Sequence, residues 1–213
     1  MTNIHTFVFN PFQVNTYLFV ATGGECAIID PGCMSGSEQR QLNKFIEQQK
    51  LQPVVLINTH THIDHIAGNQ YINKEYGLKP VIHRAGLNFL ITASEYGSMF
   101  GLSVEPSVLP ETFIEHMDKI TVGDEQLEVR YTPGHADGSV CLISYTLKAV
   151  FSGDVLFRRG IGRTDLPTGD FDILEKSIVD HLYSLPDDFK VYSGHGEPTT
   201  IGEEKKLNPF VSI

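Results

Sequence analysis

The sequence predicts an α/β protein in which two mostly antiparallel sheets pack face to face, with helices on the outside. Three observations carry the prediction. Short apolar runs cluster in each half of the chain, helical patterns lie between them without strict alternation, and no repeat, low-complexity tract or linker interrupts the 213 residues. The chain therefore reads as one domain, 1–213.

The elements follow in order. Residues 16–21 and 26–29 flank Gly23-Gly24 and read as a hairpin whose second strand ends at Asp30-Pro31-Gly32. Leu42, Phe45 and Ile46 recur at helical spacing within 38–49. Pro53 opens the continuous apolar run 54–57, the pattern of a strand buried on both faces. A helix follows Gly68 and stops at Gly77, and 81–82 is a short strand. Residues 87–95 read as a helix, and 97–110, with two Pro and two Gly, as irregular. A hairpin over 119–130 turns at Gly123-Asp124, strands 140–144 and 149–152 pair around 146–148, and a Gly-rich loop spans 158–169. An amphipathic helix over 171–185 and a strand at 191–193 complete the list.

Composition narrows the function classes. The chain is 41% hydrophobic and 20% charged, ordinary globular usage that excludes a disordered, collagen-like or disulfide-framework protein. Sixteen Lys+Arg against 26 Asp+Glu leave a net charge of −10, which argues against nucleic acid as a partner because phosphate binding needs a basic surface. Cys26, Cys33 and Cys141 are odd in number and form no C-x-x-C pair, so they read as core or surface residues. Residues 1–20 lack a basic start, and no 18 apolar residues run together, so neither a secretory leader nor a spanning helix is expected. A cytoplasmic protein that meets no membrane is the expectation.

The histidines stand out, nine of them against three cysteines. Three fall in His60-Thr61-His62-Ile63-Asp64-His65, directly after the strand 54–57. Alternate residues of an extended chain point the same way, so His60 and His62 can converge on one point while Asp64 and His65 serve a second. Neutral imidazole and carboxylate are the donors that zinc takes, and they suit iron. Chance placement yields this spacing in roughly one such chain in a thousand. Three more strand ends deliver the same residue types: His135 in Thr132-Pro133-Gly134-His135, Asp154 in Ser152-Gly153-Asp154, and His195 in Ser193-Gly194-His195-Gly196. His5, His83, His116 and His181 have no ligand-type partner at useful spacing and read as structural or surface residues.

These residues resemble the metallo-β-lactamase fold superfamily, and within it the short bacterial form of the type II glyoxalases (hydroxyacylglutathione hydrolases). Asp30-Pro31-Gly32, Met99-Phe100-Gly101-Leu102, Gly160-Ile161-Gly162-Arg163-Thr164-Asp165 and Asn208-Pro209-Phe210 fall in the family's order, so the resemblance extends over nearly the whole chain. It implies a four-layer αββα sandwich of two mixed sheets, with the site at one edge between them. It also implies two divalent metal ions, zinc above all, with iron or manganese admitted by the donor set. His60, His62 and His135 would take the first ion, Asp64, His65 and His195 the second, and Asp154 would bridge. His65 departs from the residue typical of true β-lactamases, which weakens a β-lactam substrate.

The implied activity is hydrolysis of a thioester such as S-D-lactoylglutathione by a metal-bridging hydroxide, with Asp64 orienting that hydroxide and accepting its proton. Arg163 falls where the family places a cationic substrate contact, and Lys205 where it places a basic residue before Asn-Pro-Phe. A solvated helix end explains Lys205 and Lys206 equally well. Asp30 sits at a strand end where it could hold a ligand histidine. Met99-Phe100 could line the substrate mouth or form an apolar lid. Two rivals stand beside the hydrolase: a mononuclear iron persulfide dioxygenase using His60, His135 and Asp154, and a metal-binding module without turnover.

Overall fold

A computed structural model describes residues 1–99 and 104–212. β1 (Asn3–Phe9), β2 (Val14–Val20) and β3 (Glu25–Ile29) pair antiparallel, and β4 (Gln52–Ile57), β5 (Pro80–His83) and β6 (Phe113–Ile114) extend that sheet in parallel. Connections explain the change of direction. A tight turn reverses the chain, whereas a helical crossover returns it to run parallel. α1 (Gly36–Gln49) links β3 to β4, α2 (Ile63–Ile66) and α3 (Asn69–Tyr76) link β4 to β5, and α4 (Leu87–Met99) lies between β5 and β6. The expectation of mostly antiparallel sheets is corrected for this sheet, where three of the five pairings are parallel because helical crossovers impose that direction.

The second sheet contains β7 (Lys119–Val122), β8 (Glu125–Tyr131), β9 (Val140–Ser144) and β10 (Ala149–Gly153). A small hairpin of β11 (Leu156–Phe157) and β12 (Gly160–Ile161) follows. The chain returns through α5 (Phe171–Ser177) and a π-helical turn at Ile178–Leu182, shorter than the helix expected over 171–185. β13 (Lys190–Ser193) then pairs parallel with β10, and β14 (Thr199–Thr200) closes the edge before α6 (Ile201–Leu207). Because β9 lies antiparallel between β8 and β10, the strands β8, β10 and β13 all run the same way and end at one edge.

Strand periodicity makes the four layers. Val140 and Leu142 of β9 face Tyr17, Phe19, Ala27, Ile29 and Ile57 between the sheets, while Cys141 and Ile143 turn outward onto Leu174, Ile178, Leu182 and Ile201. On the other side Leu18, Ile28 and Leu56 pack against Leu42 and Ile46 of α1 and Ile72 of α3. Both sheets are thus covered on both faces, in the order helix, sheet, sheet, helix. β4 is buried at Leu56 and Ile57, where it enters the site, whereas Val54 remains 37% exposed. β1, α2, β6, β11, β12, β14 and α6 add to the elements expected from the sequence. β6 and β14 are two residues long, too short to show a period.

Phe151 holds the two sheets together. It is fully buried, with ring centroids of Tyr17 at 5.2 Å, Tyr192 at 5.6 Å and Phe19 at 6.2 Å. Phe151→Ala leaves a cavity between two stiff layers, and a loss of about 3–5 kcal/mol is expected in urea denaturation.

The sequence motif Met99-Phe100-Gly101-Leu102 lies outside the described residues from Phe100 onward, as does the side chain of Met99. Among the described residues no helix is long and apolar enough to cross a membrane.

Candidate metal centre

Four strand ends meet at the edge where β4, β8, β10 and β13 finish. His60 follows β4 in a bend and His62 stands in extended backbone at the N-terminus of α2, which carries Asp64 and His65. His135 follows β8, Asp154 follows β10 and His195 follows β13. The seven side chains come together. Donor atoms of His60, His62 and His135 lie within 4.8 Å of one another, as do those of His60, His65 and Asp154, and those of Asp64, His65 and His195. Asp154 spans the outer groups, with Oδ1 3.3 Å from His65 Nε2 and Oδ2 3.7 Å from His135 Nε2 and 3.6 Å from His195 Nε2.

Outer contacts aim the rings. His135 Nδ1 donates to the Arg163 carbonyl at 2.8 Å, and His195 Nδ1 to the Phe12 carbonyl at 3.0 Å. His65 Nδ1 donates to Asp30 Oδ2 at 3.0 Å, and the Asp30 carboxylate also accepts from Thr59 N at 2.7 Å and Thr59 Oγ1 at 2.6 Å. Each of these bonds fixes a tautomer and leaves the Nε2 lone pair directed at the centre. Asp30 reaches its place in the left-handed region, φ 50°, and its own carbonyl accepts from Thr16 Oγ1 at 2.7 Å.

The donors fit a divalent metal. His60 Nε2 and Asp154 Oδ1 are buried without a hydrogen-bond partner, an arrangement too costly to persist without a ligand. Burial, reinforced by His65, His62 and His135, holds His60 well below the ordinary histidine range, and burial together with His135 brings His62 down to about 4. Both rings are neutral, with lone pairs to give. Burial opposes ionisation of Asp154, yet His65, His195 and His135 hold its carboxyl far below the usual range. Asp64 is likewise ionised: burial is outweighed by His65 and His195. Burial also opposes charge on His65, but Asp64, Asp154 and Asp30 raise its pKa well above the ordinary value. The negative field that these three carboxylates set up around the ring suits a bound cation.

A cavity of about 360 Å³ opens beside the cluster, with His62, Asp64, His135 and Asp154 on one side. Arg163 lines it, its exposed guanidinium held by Asp165 through Nε–Oδ1 at 2.7 Å and Nη2–Oδ2 at 2.8 Å. Lys205 is not brought to it. Its ammonium donates to the Leu185 carbonyl at 3.0 Å and to Asp187 Oδ1 at 2.7 Å, a helix-end role on α6. The remaining histidines are engaged elsewhere: His5 meets Phe45, His83 stacks on Tyr131, and His116 meets His181. All three cysteines are buried and free, and burial pushes each thiol up to about 12.

Sequence reasoning missed several supports. Phe12 acts through its carbonyl, which no side-chain pattern reveals. Asn58 donates to the His65 carbonyl at 3.1 Å and exchanges amide bonds with Asn69 at 2.9 and 3.2 Å. Asn10 donates to the Asp64 carbonyl at 3.1 Å. Gly162 is small for a reason: a Cβ there would lie 1.9 Å from the Asp154 carbonyl oxygen. Asp30→Asn keeps the shape and swaps an acceptor for a donor toward His65 or Thr59. A 10- to 100-fold loss of metal affinity, roughly, is expected in chelator competition.

Residues 9–195 match the family model of the metallo-β-lactamase superfamily, and the chain belongs to that superfamily. The fold implied by the sequence resemblance is the fold found, and it implies divalent metal binding. The chain is 36% identical over 212 residues to the hydroxyacylglutathione hydrolase GloC of Haemophilus influenzae, covering 99% of this chain and 98% of that one. Its structure is similar to the crystal structure of the BLEG-1 B3 metallo-β-lactamase, with a TM-score of 0.91, 30% identity and coverage of 99% and 100%. It is also similar to that of TTHA1623 in a di-iron-bound form, with a TM-score of 0.87, 31% identity and coverage of 97% and 100%.

Proposed function

We propose that the protein is a metal-dependent hydrolase of thioesters, acting on S-hydroxyacylglutathiones such as S-D-lactoylglutathione. The observation that carries this is the seven-residue donor cluster, divided into two outer groups that share Asp154. His60, His62 and His135 would hold one ion, Asp64, His65 and His195 a second, and Asp154 both. Likeness to a hydroxyacylglutathione hydrolase and to a di-iron structure supports the two-metal, thioester reading. Divalent ions bound there lower the pKa of coordinated water to about 7, which makes hydroxide available at neutral pH.

The chain's own groups do the rest. Asp64 lines the cavity as an ionised carboxylate, with Oδ2 3.2 Å from His195 Nε2, and would orient the attacking water and take its proton. A thioester releases a thiolate, a leaving group that needs no protonation, and no general acid is assigned. The buried, high-pKa cysteines are not nucleophiles. Arg163 at the cavity rim would meet a carboxylate of the thiol carrier, in exchange for Asp165. Lys205, held by Asp187, is given no part.

The test is release of thiol and carboxylate from S-D-lactoylglutathione by fully metallated protein. Steady turnover is expected. The reading falls if the thioester stays intact while glutathione persulfide drives oxygen uptake, if only a β-lactam ring is opened, or if nothing is turned over.

A further inference from the structure

α4 lines the cavity with Asn88 and Thr92 as well as with apolar side chains. Leu90 and Ala93 pack with Ile66 and Ile82 of the fold's interior, while Phe89, Ala93 and Tyr96, at i, i+4 and i+7, form a stripe along the cavity. That stripe spans about 10 Å at 1.5 Å per residue. Its first member stands against the metal centre, the Phe89 ring meeting the His62 ring edge-on at 5.5 Å. Leu166, Pro167 and Phe12, the last 45% exposed, also line the cavity. A soluble chain that keeps so much apolar surface around a concave site, beside a few converging polar groups, has the build of a pocket for an apolar ligand group.

Resting on the thioesterase reading, a substrate has two halves. The glutathione half is polar and charged and gains little from an apolar wall. Among the described residues lining the cavity the one cation is Arg163, at the rim. The wall beginning at Phe89 is left for the acyl half. We infer that the preferred substrates carry an apolar acyl group larger than lactoyl, a 2-hydroxyacyl thioester with a medium alkyl or aryl side chain laid along Phe89, Ala93 and Tyr96 and covered by Leu166-Pro167. Each methylene taken from water raises kcat/KM by roughly fourfold when fully buried. Three more methylenes than lactoyl, partly buried, therefore give about tenfold or more.

The experiment compares kcat/KM for S-D-lactoyl-, S-2-hydroxyhexanoyl- and S-mandeloylglutathione with the fully metallated protein, the α-hydroxyl being common to all three. The expected result is at least about a tenfold preference for the hexanoyl and mandeloyl compounds over lactoyl. Phe89→Ala and Leu166→Ser should each draw that ratio toward one, with folding checked by thermal melting. A wild-type ratio at or below one overturns the proposal and leaves the hydrolase reading standing, as does a ratio that neither variant changes. Hydrolysis of none of the three removes both.

Discussion

Asp154→Ala is expected to lower metal content toward one ion or none and to reduce thioester hydrolysis by on the order of 10³-fold. The reason is its position. Asp154 Oδ1 faces His65 at 3.3 Å, and Oδ2 faces His135 at 3.7 Å and His195 at 3.6 Å, so its carboxylate reaches both outer donor groups. Without it His65 and His195 lose a counter-charge, and neither group has a shared anion to offset two adjacent dications. Elemental analysis and a thiol-release assay on the same sample check both halves. The fold should survive, because the layers are held by Phe151, Leu142 and their partners rather than by this carboxylate. Full activity in the variant would refute the assignment of Asp154.

Gly194→Ala is expected to do comparable damage without touching a donor. A Cβ at this position would lie 2.1 Å from Asp154 Oδ1, 2.7 Å from His65 Cε1 and 3.2 Å from the Gly153 carbonyl carbon. The surroundings cannot give way easily. Gly194 N donates to the Gly153 carbonyl at 2.7 Å, and Asn15 N donates to the Gly194 carbonyl at 2.7 Å, which stitches β2, β10 and β13 together at this edge. The carboxylate and the His65 ring must therefore shift. A displacement of about 1 Å at a catalytic centre can cost about 10²-fold. The expected outcome is loss of one or both ions together with at least that drop in activity, while a far-UV spectrum stays native. Wild-type metal affinity in the variant would show that the cluster is looser than these contacts imply.

The site was more legible in the sequence than the sheets were. Histidine and aspartate at strand ends are few, and His60, His62, Asp64 and His65 within one short loop leave little freedom, so the residue types and the spacing pointed at one chemistry. Strand direction was less visible. The apolar runs of β3, β4 and β5 look alike whichever way they pair, and the parallel pairing follows from the α1 and α3 crossovers. β1 is hard to see in the sequence because Asn3, His5 and Thr6 break its apolar pattern before Phe7 and Phe9. Supports that act through the Phe12 and Arg163 carbonyls, or through the Asn58–Asn69 amide pair, leave no trace in spacing. For Lys205 the sequence left a substrate contact and a helix-end role open. The family's position pointed to the substrate, and Asp187 and the Leu185 carbonyl hold it on α6. The cavity wall was equally hidden, since Phe89, Ala93 and Leu166 are ordinary core types until the fold places them beside His62.

The most direct test of the central claim is the metal stoichiometry of the fully active protein, counted per chain by elemental analysis during titration of the metal-free form. A two-ion centre predicts that thioester hydrolysis rises to its plateau as two ions bind, and that His60→Ala and His195→Ala each lower the count. Full activity with a single ion, unaffected by His195→Ala, would contradict it.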